Sequence, residues 1–169
     1  MKHAFQTVGI VGTGAMGRGI AQICAQADSL VWLYDSQPQA CQQAIDNIQA
    51  QWTKLVEKGR LTPEQAHSYG QRLKPAGALA DLAGCDLVIE AIVEKLEVKQ
   101  AVFKQLEELV RADAVLATNT SSLSVTSIAA ALKHPERFAG YHYFNPVPVM
   151  KVVEVIAGLR TQQIGRAHV

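Results

Sequence analysis

Val8-Gly9-Ile10-Val11-Gly12-Thr13-Gly14-Ala15-Met16-Gly17 opens a stretch that runs to Asp35 and decides the fold. An apolar run comes first, then a G-x-G-x-x-G at Gly12, Gly14 and Gly17. A helical pattern follows, with Ile20, Ile23, Cys24 and Ala27 at three- and four-residue spacing. A second apolar run, Leu30-Val31-Trp32-Leu33-Tyr34, ends in Asp35. Strand, glycine turn, helix, strand and acid, in that order, predict a βαβ unit at the head of a parallel sheet.

Each part of the unit has a physical job. Gly12 permits the tight turn out of the strand, Gly14 lets the backbone approach a pyrophosphate, and Gly17 lets the helix pack closely. Backbone N–H groups at the helix start, at Ala15, Met16 and Gly17, point at phosphate oxygens, and the helix dipole favours the negative charge. Asp35 stands near the expected spacing of about 20 residues for an acid that binds ribose hydroxyls. A carboxylate there repels a 2′-phosphate, so NAD(H) is expected over NADP(H). The plain alternative for the glycines alone is an ordinary turn.

The bulk numbers fit a single domain with a proper core. The chain has 169 residues, 49% of them hydrophobic, and a formal net charge of +1. That balance offers no basic field for nucleic acid. No apolar stretch reaches the ~20 residues of a membrane span. The first residues run straight into a strand without the h-region or cleavage site of a signal peptide. Cys24, Cys41 and Cys85 lie far apart, are odd in number and form no metal-ligand spacing. Buried free thiols in a reducing, cytoplasmic setting are expected, with no metal site.

Beyond Asp35 the pattern predicts a helix over 37–58, with Ala40, Ala44, Ile45, Ile48, Trp52, Leu55 and Val56 as its apolar stripe. Thr62-Pro63-Glu64-Gln65 reads as the capped start of a second helix towards Gly70. The two make a helical hairpin inserted after the second strand. Lys54, Lys58 and Arg60 surround its tip, either as a solvated face or as a dock for an anionic group. Strands are expected at 73–76, 86–92, 114–118, 137–144 and 152–156. Helices are expected at 78–83, 94–111 and 125–132, the long one with Val98, Val102, Phe103, Leu106 and Leu109 inward. At Asp28 an acid stands where the end of the first helix would favour glycine, a small stability cost. The fold class is therefore α/β, a Rossmann-type doubly wound, mostly parallel sheet with a helical-hairpin insertion.

A second polar group collects at strand ends beyond the glycine turn: Asn119, Ser121, His142, Asn145 and Glu154. Oxidation of a secondary alcohol needs a base for the hydroxyl proton while hydride leaves the carbon. Histidine suits that task because its ordinary pKa is near neutral. A carboxylate on its far nitrogen fixes the tautomer and favours the imidazolium as it forms. His142 and Glu154 are the candidate pair, Ser121 a candidate for the substrate oxygen, and Asn145 a candidate for positioning nicotinamide or substrate. Taken singly, each has a plain alternative as a structural histidine, a turn asparagine or a solvated acid.

The residues themselves resemble the 3-hydroxyacyl-CoA dehydrogenases. The likeness is carried by Val-Gly-Thr-Gly-Ala-Met-Gly-Arg-Gly-Ile-Ala-Gln at 11–22, Glu-Ala-Ile-Val-Glu at 90–94 and Asn-Thr-Ser-Ser-Leu at 119–123. Most selective is His-Tyr-Phe-Asn-Pro-Val-Pro-Val-Met-Lys-Val-Val-Glu-Val at 142–155. The resemblance implies NAD-linked oxidation of (S)-3-hydroxyacyl-CoA to 3-oxoacyl-CoA, as in fatty acid β-oxidation or 3-hydroxybutyryl-CoA or 3-hydroxyadipyl-CoA metabolism. It implies His142 as general base, Glu154 as its acid partner, and Ser121 in contact with substrate and cofactor. It adds Glu94 and Lys99 as cofactor contacts beside Asp35, with Asn119, Ser121 and Asn145 completing the cofactor set. Lys54 and Lys58 become candidates for coenzyme A phosphates, because the hairpin lies near coenzyme A in the family.

The family continues into a helical C-terminal domain that closes the cleft and forms a homodimer, and that region is not in this chain. Residues 1–163 are thus expected to be the NAD-binding domain, incomplete at its C-terminal end, with little turnover of its own. Residues 164–169 look like read-through of a sequencing adapter and are expected to be non-native. Two other readings stay open: a non-catalytic, crystallin-like structural relative, and a 6-phosphogluconate-type dehydrogenase with Lys151 as base.

Overall fold

The computed structural model describes residues 5–37, 39–150 and 152–162. Pro38 as a helix start, Lys151 as an alternative base and the 164–169 tail lie outside these residues.

Among the described residues six strands run parallel and a seventh returns. In chain order they are β1 (Thr7–Val11), β2 (Leu30–Tyr34), β3 (Leu73–Pro75), β4 (Leu87–Glu90), β5 (Val115–Thr118), β6 (Phe138–Tyr143) and β7 (Val153–Ala157). The sheet order is β3-β2-β1-β4-β5-β6-β7, with β7 antiparallel to β6. The chain winds outward one way from β1 to β3 and then crosses back to β4, so a topological switch point lies between β1 and β4. Ligands of open α/β sheets bind outside the carboxyl ends of the strands at such a point.

The strands are connected by the α-helices α1 (Ala15–Gln26), α2 (Ala40–Glu57), α3 (Pro63–Gln71), α4 (Leu96–Leu109) and α5 (Val125–Ala129). Alternate residues of the central strands divide the core into two layers. Val8, Ile10, Val31, Leu33, Ile89 and Ala117 pack with Ile20, Ala21, Ala25, Ile48 and Trp52 of α1 and α2. Val11, Val88, Leu116 and Phe138 pack with Phe103 and Leu106 of α4 and Ile128 of α5 on the other face. The central strands β1, β4 and β5 are buried on both faces because both faces are covered.

The hairpin forms as its end signals predict. Gly59, at φ +64°, ends α2. Its N–H donates to the Val56 carbonyl at 2.9 Å and that of Arg60 to the Leu55 carbonyl at 2.8 Å, the pairing that closes a helix on a left-handed residue. Thr62 starts α3 with a reciprocal cap: the Gln65 N–H donates to Thr62 Oγ1 at 3.2 Å, and the Thr62 N–H to Gln65 Oε1 at 2.9 Å. Asp28 takes φ +70° at the end of α1, and Arg72 pairs with it at 2.7 Å.

Some boundaries differ from the sequence expectation. The helix expected at 78–83 is a single 3₁₀ turn, Leu79–Leu82. The last helix stops at Ala129 and not at 132. The long helix begins at Leu96, leaving Glu94 in the loop that leads into it. Val98 and Leu109, expected inward, are 39% and 37% exposed, while Lys99 and Glu107 are buried. The inward face of α4 is part polar because the buried acid Glu90 and the chain near Lys133 supply partners for those charges.

Candidate functional site

The turn between β1 and α1 is main chain held at close quarters. Gly12 sits at φ +95°, and a Cβ there would lie 2.7 Å from the Ala91 carbonyl oxygen. Its N–H donates to the Tyr34 carbonyl at 2.8 Å, tying the turn to β2. A Cβ on Gly17 would fall 1.8 Å from the Gly12 carbonyl oxygen, so this residue packs against the turn itself as well as against Ile10. Gly14 differs: a Cβ there would meet nothing within 4 Å, so the chain presents open space at that point.

The first helical bond of α1 runs from the Arg18 N–H to the Gly14 carbonyl, and no side chain caps the helix. The N–H groups of Ala15, Met16 and Gly17 therefore have no acceptor within the helix. Together with the open space at Gly14, they fit an anionic bridging group, as a pyrophosphate is. Asp35 closes the β2 end of the turn. It accepts from the Thr13 N–H at 2.8 Å, the Thr13 hydroxyl at 2.9 Å and the Gln37 N–H at 3.1 Å. Partial burial pushes its pKa up, and the donors from Gln37, Thr13 and Ser36 outweigh that, so the carboxyl lies below its ordinary value. A cleft of about 250 Å³ runs from Gly14 past Arg18 and Asp35 to Gln43 and Asn47 of α2.

At the other end of the sheet the site is made of side chains. His142 and Glu154 are directly paired residues of β6 and β7, so they share a face. His142 Nδ1 lies 2.8 Å from Glu154 Oε2. A carboxylate only accepts, so Nδ1 is the donor of this bond, and in the neutral ring the lone pair then sits on Nε2. The ring packs against Phe144, with centroids 4.7 Å apart. The imidazole is part-buried and the carboxylate half exposed, at 21% and 55%.

The loop after β5 brings the serine turn. Asn119 Oδ1 accepts from the Tyr143 N–H at 2.9 Å and fastens the end of β5 to β6. Ser121 is exposed, and its N–H donates to Glu94 Oε1 at 3.1 Å. Glu94 Oε1 also accepts from the Thr120 hydroxyl, from the Ser122 N–H at 3.2 Å and from the Ser122 hydroxyl at 3.1 Å. Partial burial raises the pKa of Glu94, but these donors and the Lys99 ammonium outweigh it and bring the carboxyl down to about 2. Lys99 is 1% exposed and reaches the loop only through Glu94, at 3.2 Å.

Asn145 is exposed on the loop after β6. That loop is seated on α1: a Cβ on Gly19 would lie 2.8 Å from Val147 Cβ, and Val147 is 3% exposed. Gly19 went unread in the sequence although it falls in the same glycine-rich stretch; its close neighbour is far away in the chain. Thr13, Thr118, Thr120 and Glu90 were likewise missed. Of these, only Glu90 carried a signal, as an acid inside an apolar strand. Lys54, Lys58 and Arg60 are all exposed at the hairpin tip. Among the described residues no cluster of three His, Cys, Asp or Glu side chains could hold a metal. Nor is any helix long and apolar enough to cross a membrane.

A doubly wound sheet with this glycine turn and an acid after β2 defines a dinucleotide-binding domain of the oxidoreductase type. Residues 7–165 match the family model of the 3-hydroxyacyl-CoA dehydrogenase NAD-binding domain, and the chain belongs to that family. It is 50% identical over 156 residues to the 3-hydroxyadipyl-CoA dehydrogenase of Escherichia coli (strain K12), covering 92% of this chain and 33% of that protein. It is 42% identical over 153 residues to a probable 3-hydroxybutyryl-CoA dehydrogenase of Deinococcus radiodurans, covering 90% and 55%. The crystal structure of (S)-3-hydroxybutyryl-CoA dehydrogenase from Ralstonia eutropha is similar at TM-score 0.93 and 40% identity, covering 97% of this chain and 58% of that one. The chain thus spans between 33% and 55% of the length of these two curated relatives.

Proposed function

We propose that the whole protein containing this domain oxidises (S)-3-hydroxyacyl-CoA to 3-oxoacyl-CoA, with NAD as cofactor. The observation that carries the reading is the His142–Glu154 pair at 2.8 Å, on the same sheet edge as the serine turn. Bound NAD⁺ supplies the acceptor for the hydride that leaves the hydroxyl-bearing carbon.

The chain's own residues do the rest. The N–H groups of Ala15, Met16 and Gly17 hold the pyrophosphate, Gly12 and Gly14 keep the turn low enough to admit it, and Asp35 accepts from the ribose hydroxyls. His142 Nε2 takes the hydroxyl proton, and Glu154 on Nδ1 steadies the positive charge that results. Ser121 donates to the substrate oxygen. Asn119, Asn145 and Glu94, with Lys99 behind it, hold the nicotinamide end. A pair built around His142 favours this reading over one with a lysine base or a purely structural role.

In this reading residues 1–163 are the native NAD-binding domain, 164–169 a non-native tail, and the helical region that the relatives' greater length accommodates closes the cleft and makes a homodimer. The free thiols of Cys24, Cys41 and Cys85 support a reducing, cytoplasmic setting. Lys54 and Lys58 serve coenzyme A phosphates.

The test is calorimetric titration of the whole protein with NADH, followed by reduction of acetoacetyl-CoA monitored by NADH absorbance. Asp35→Ala is expected to weaken NADH by about 10-fold or more, the worth of one hydrogen bond to a charged group. Tight NADH binding without reduction of any 3-oxoacyl-CoA would sink the substrate assignment. Unchanged NADH affinity in Asp35→Ala would sink the placement of the ribose.

A further inference from the structure

Glu90, the last residue of β4, is a buried acid that belongs neither to the glycine turn nor to the histidine pair. It is 0% exposed, and its register neighbours are Val11 of β1 and Thr118 of β5. A carboxylate so deep in a sheet must be paired, or it would not stay charged. It is paired in three directions. Glu90 Oε1 accepts from the Ile92 N–H at 2.7 Å and from the Lys99 ammonium at 2.6 Å, and Oε2 accepts from the Thr118 hydroxyl at 2.7 Å.

Lys99 carries this anchorage outward. Its ammonium also meets Glu94 Oε2 at 3.2 Å. Glu94 turns its other oxygen to the serine turn and gathers the Thr120 and Ser122 hydroxyls with the Ser121 and Ser122 N–H groups. The near end of the same loop is tied to Glu90 directly. The Thr118 hydroxyl that donates to Glu90 accepts from the Thr120 N–H at 3.3 Å. Both ends of the serine turn therefore refer back to one buried carboxylate.

We propose that Glu90 is a positioning residue: through Lys99 and Glu94 it sets the turn that carries Ser121. The inference rests on the proposed contact of Ser121 with substrate for its effect on turnover, but its structural content stands on the geometry alone. Lys99 is 1% exposed, and its ammonium lies between Glu90 and Glu94 and locks one acid against the other.

The test is the Glu90→Gln variant, read first by amide hydrogen exchange. Removal of the charge takes away the buried anchor, so Lys99 and Glu94 are held by each other and by the turn rather than by the sheet. The Ser121 and Ser122 amides are expected to exchange about 10-fold faster or more, as fits the loss of hydrogen bonds to a charged group, while Ile10 and Leu33 keep their rates. Uniform acceleration across the sheet, or no change at Ser121, would overturn the proposal. The pair Glu90→Gln, Lys99→Met removes both buried charges together and leaves the Thr118 hydroxyl in place for the Thr120 N–H. It is expected to speed exchange at Ser121 and Ser122 in the same direction, and it decides the matter if Glu90→Gln alone does not fold.

The second reading is a double-mutant cycle in the whole protein, with acetoacetyl-CoA and NADH. Glu90 and Ser121 do not touch, so a merely structural Glu90 gives losses in kcat/KM that multiply. A Glu90 that acts through Ser121 makes the pair Glu90→Gln, Ser121→Ala no worse than Ser121→Ala alone. Multiplying losses would refute it. A wild-type protein without activity on the thioester would refute the proposed function, and amide exchange would still decide the role of Glu90.

Discussion

At β1 and α1 the site is made of main chain. Its working parts are N–H groups, glycines without Cβ atoms and one acid, all within residues 8–35. At β5, β6 and β7 it is made of side chains: His142, Glu154, Ser121 and Glu94 come from separate segments and meet only because the sheet places them side by side. A main-chain site tolerates changes of side chain and fails when a Cβ intrudes. A side-chain site tolerates changes of backbone neighbour and fails when one functional group is lost. In the proposed function the first recognises the cofactor and the second selects the reaction.

The sharpest test of that contrast is Gly17→Ala. Its Cβ would sit 1.8 Å from the Gly12 carbonyl oxygen, so the turn must open. We expect loss of detectable NADH binding and about 4 kcal/mol of stability, measured by calorimetry and by urea unfolding. Near-normal binding would mean that the turn is softer than a main-chain site requires.

His142→Gln should do the reverse. In the whole protein it is expected to lower kcat by about 10²–10⁴ and to leave NADH affinity unchanged, since it removes a general base and no cofactor contact. Glu154→Gln should cost less, about 10-fold, because the half-exposed amide still accepts from Nδ1–H but no longer offsets the imidazolium charge. Equal losses in the two variants would show that the pair works as a single unit.

The smallest effect concerns the serine turn. Glu94 has its folded pKa lowered to about 2 from an ordinary value of 4.5. A depressed carboxyl contributes stability that is fully present above the ordinary value and is lost as pH falls through the folded one. Unfolding stability should therefore decline between about pH 4.5 and pH 2, by about 1 kcal/mol once solvent screening of this part-exposed group is allowed for. Glu94→Gln should flatten that part of the profile. An unaltered acid limb would mean that the donors around Glu94 pay no net return in stability.

Local chemistry explains how much could be read in advance. Residues 8–35 were legible because turn, helix and acid follow one another, and each constrains its neighbour directly. The hairpin was legible for the same reason, through Gly59 and the Thr62 cap. Glu90 disappeared into an apolar run, and Val98 was assigned the place that Lys99 holds. Periodicity sorts residues by polarity, and it fails where the interior supplies a partner for a charge.

The sequence by itself determined the cofactor turn and the alternation of strands and helices that makes a doubly wound sheet, and it offered His142 and Glu154 as candidates for proton transfer. Their resemblance to a family named the chemistry. Only the tertiary structure decided that β7 runs antiparallel and so sets Glu154 opposite His142, that Gly19 lets the loop of Asn145 settle on α1, and that Glu90 stands behind the serine turn. The reason is range. A turn is fixed by torsions and contacts among neighbours, whereas a pair such as Glu90 and Lys99 exists only when packing has removed the water that would otherwise solvate both charges.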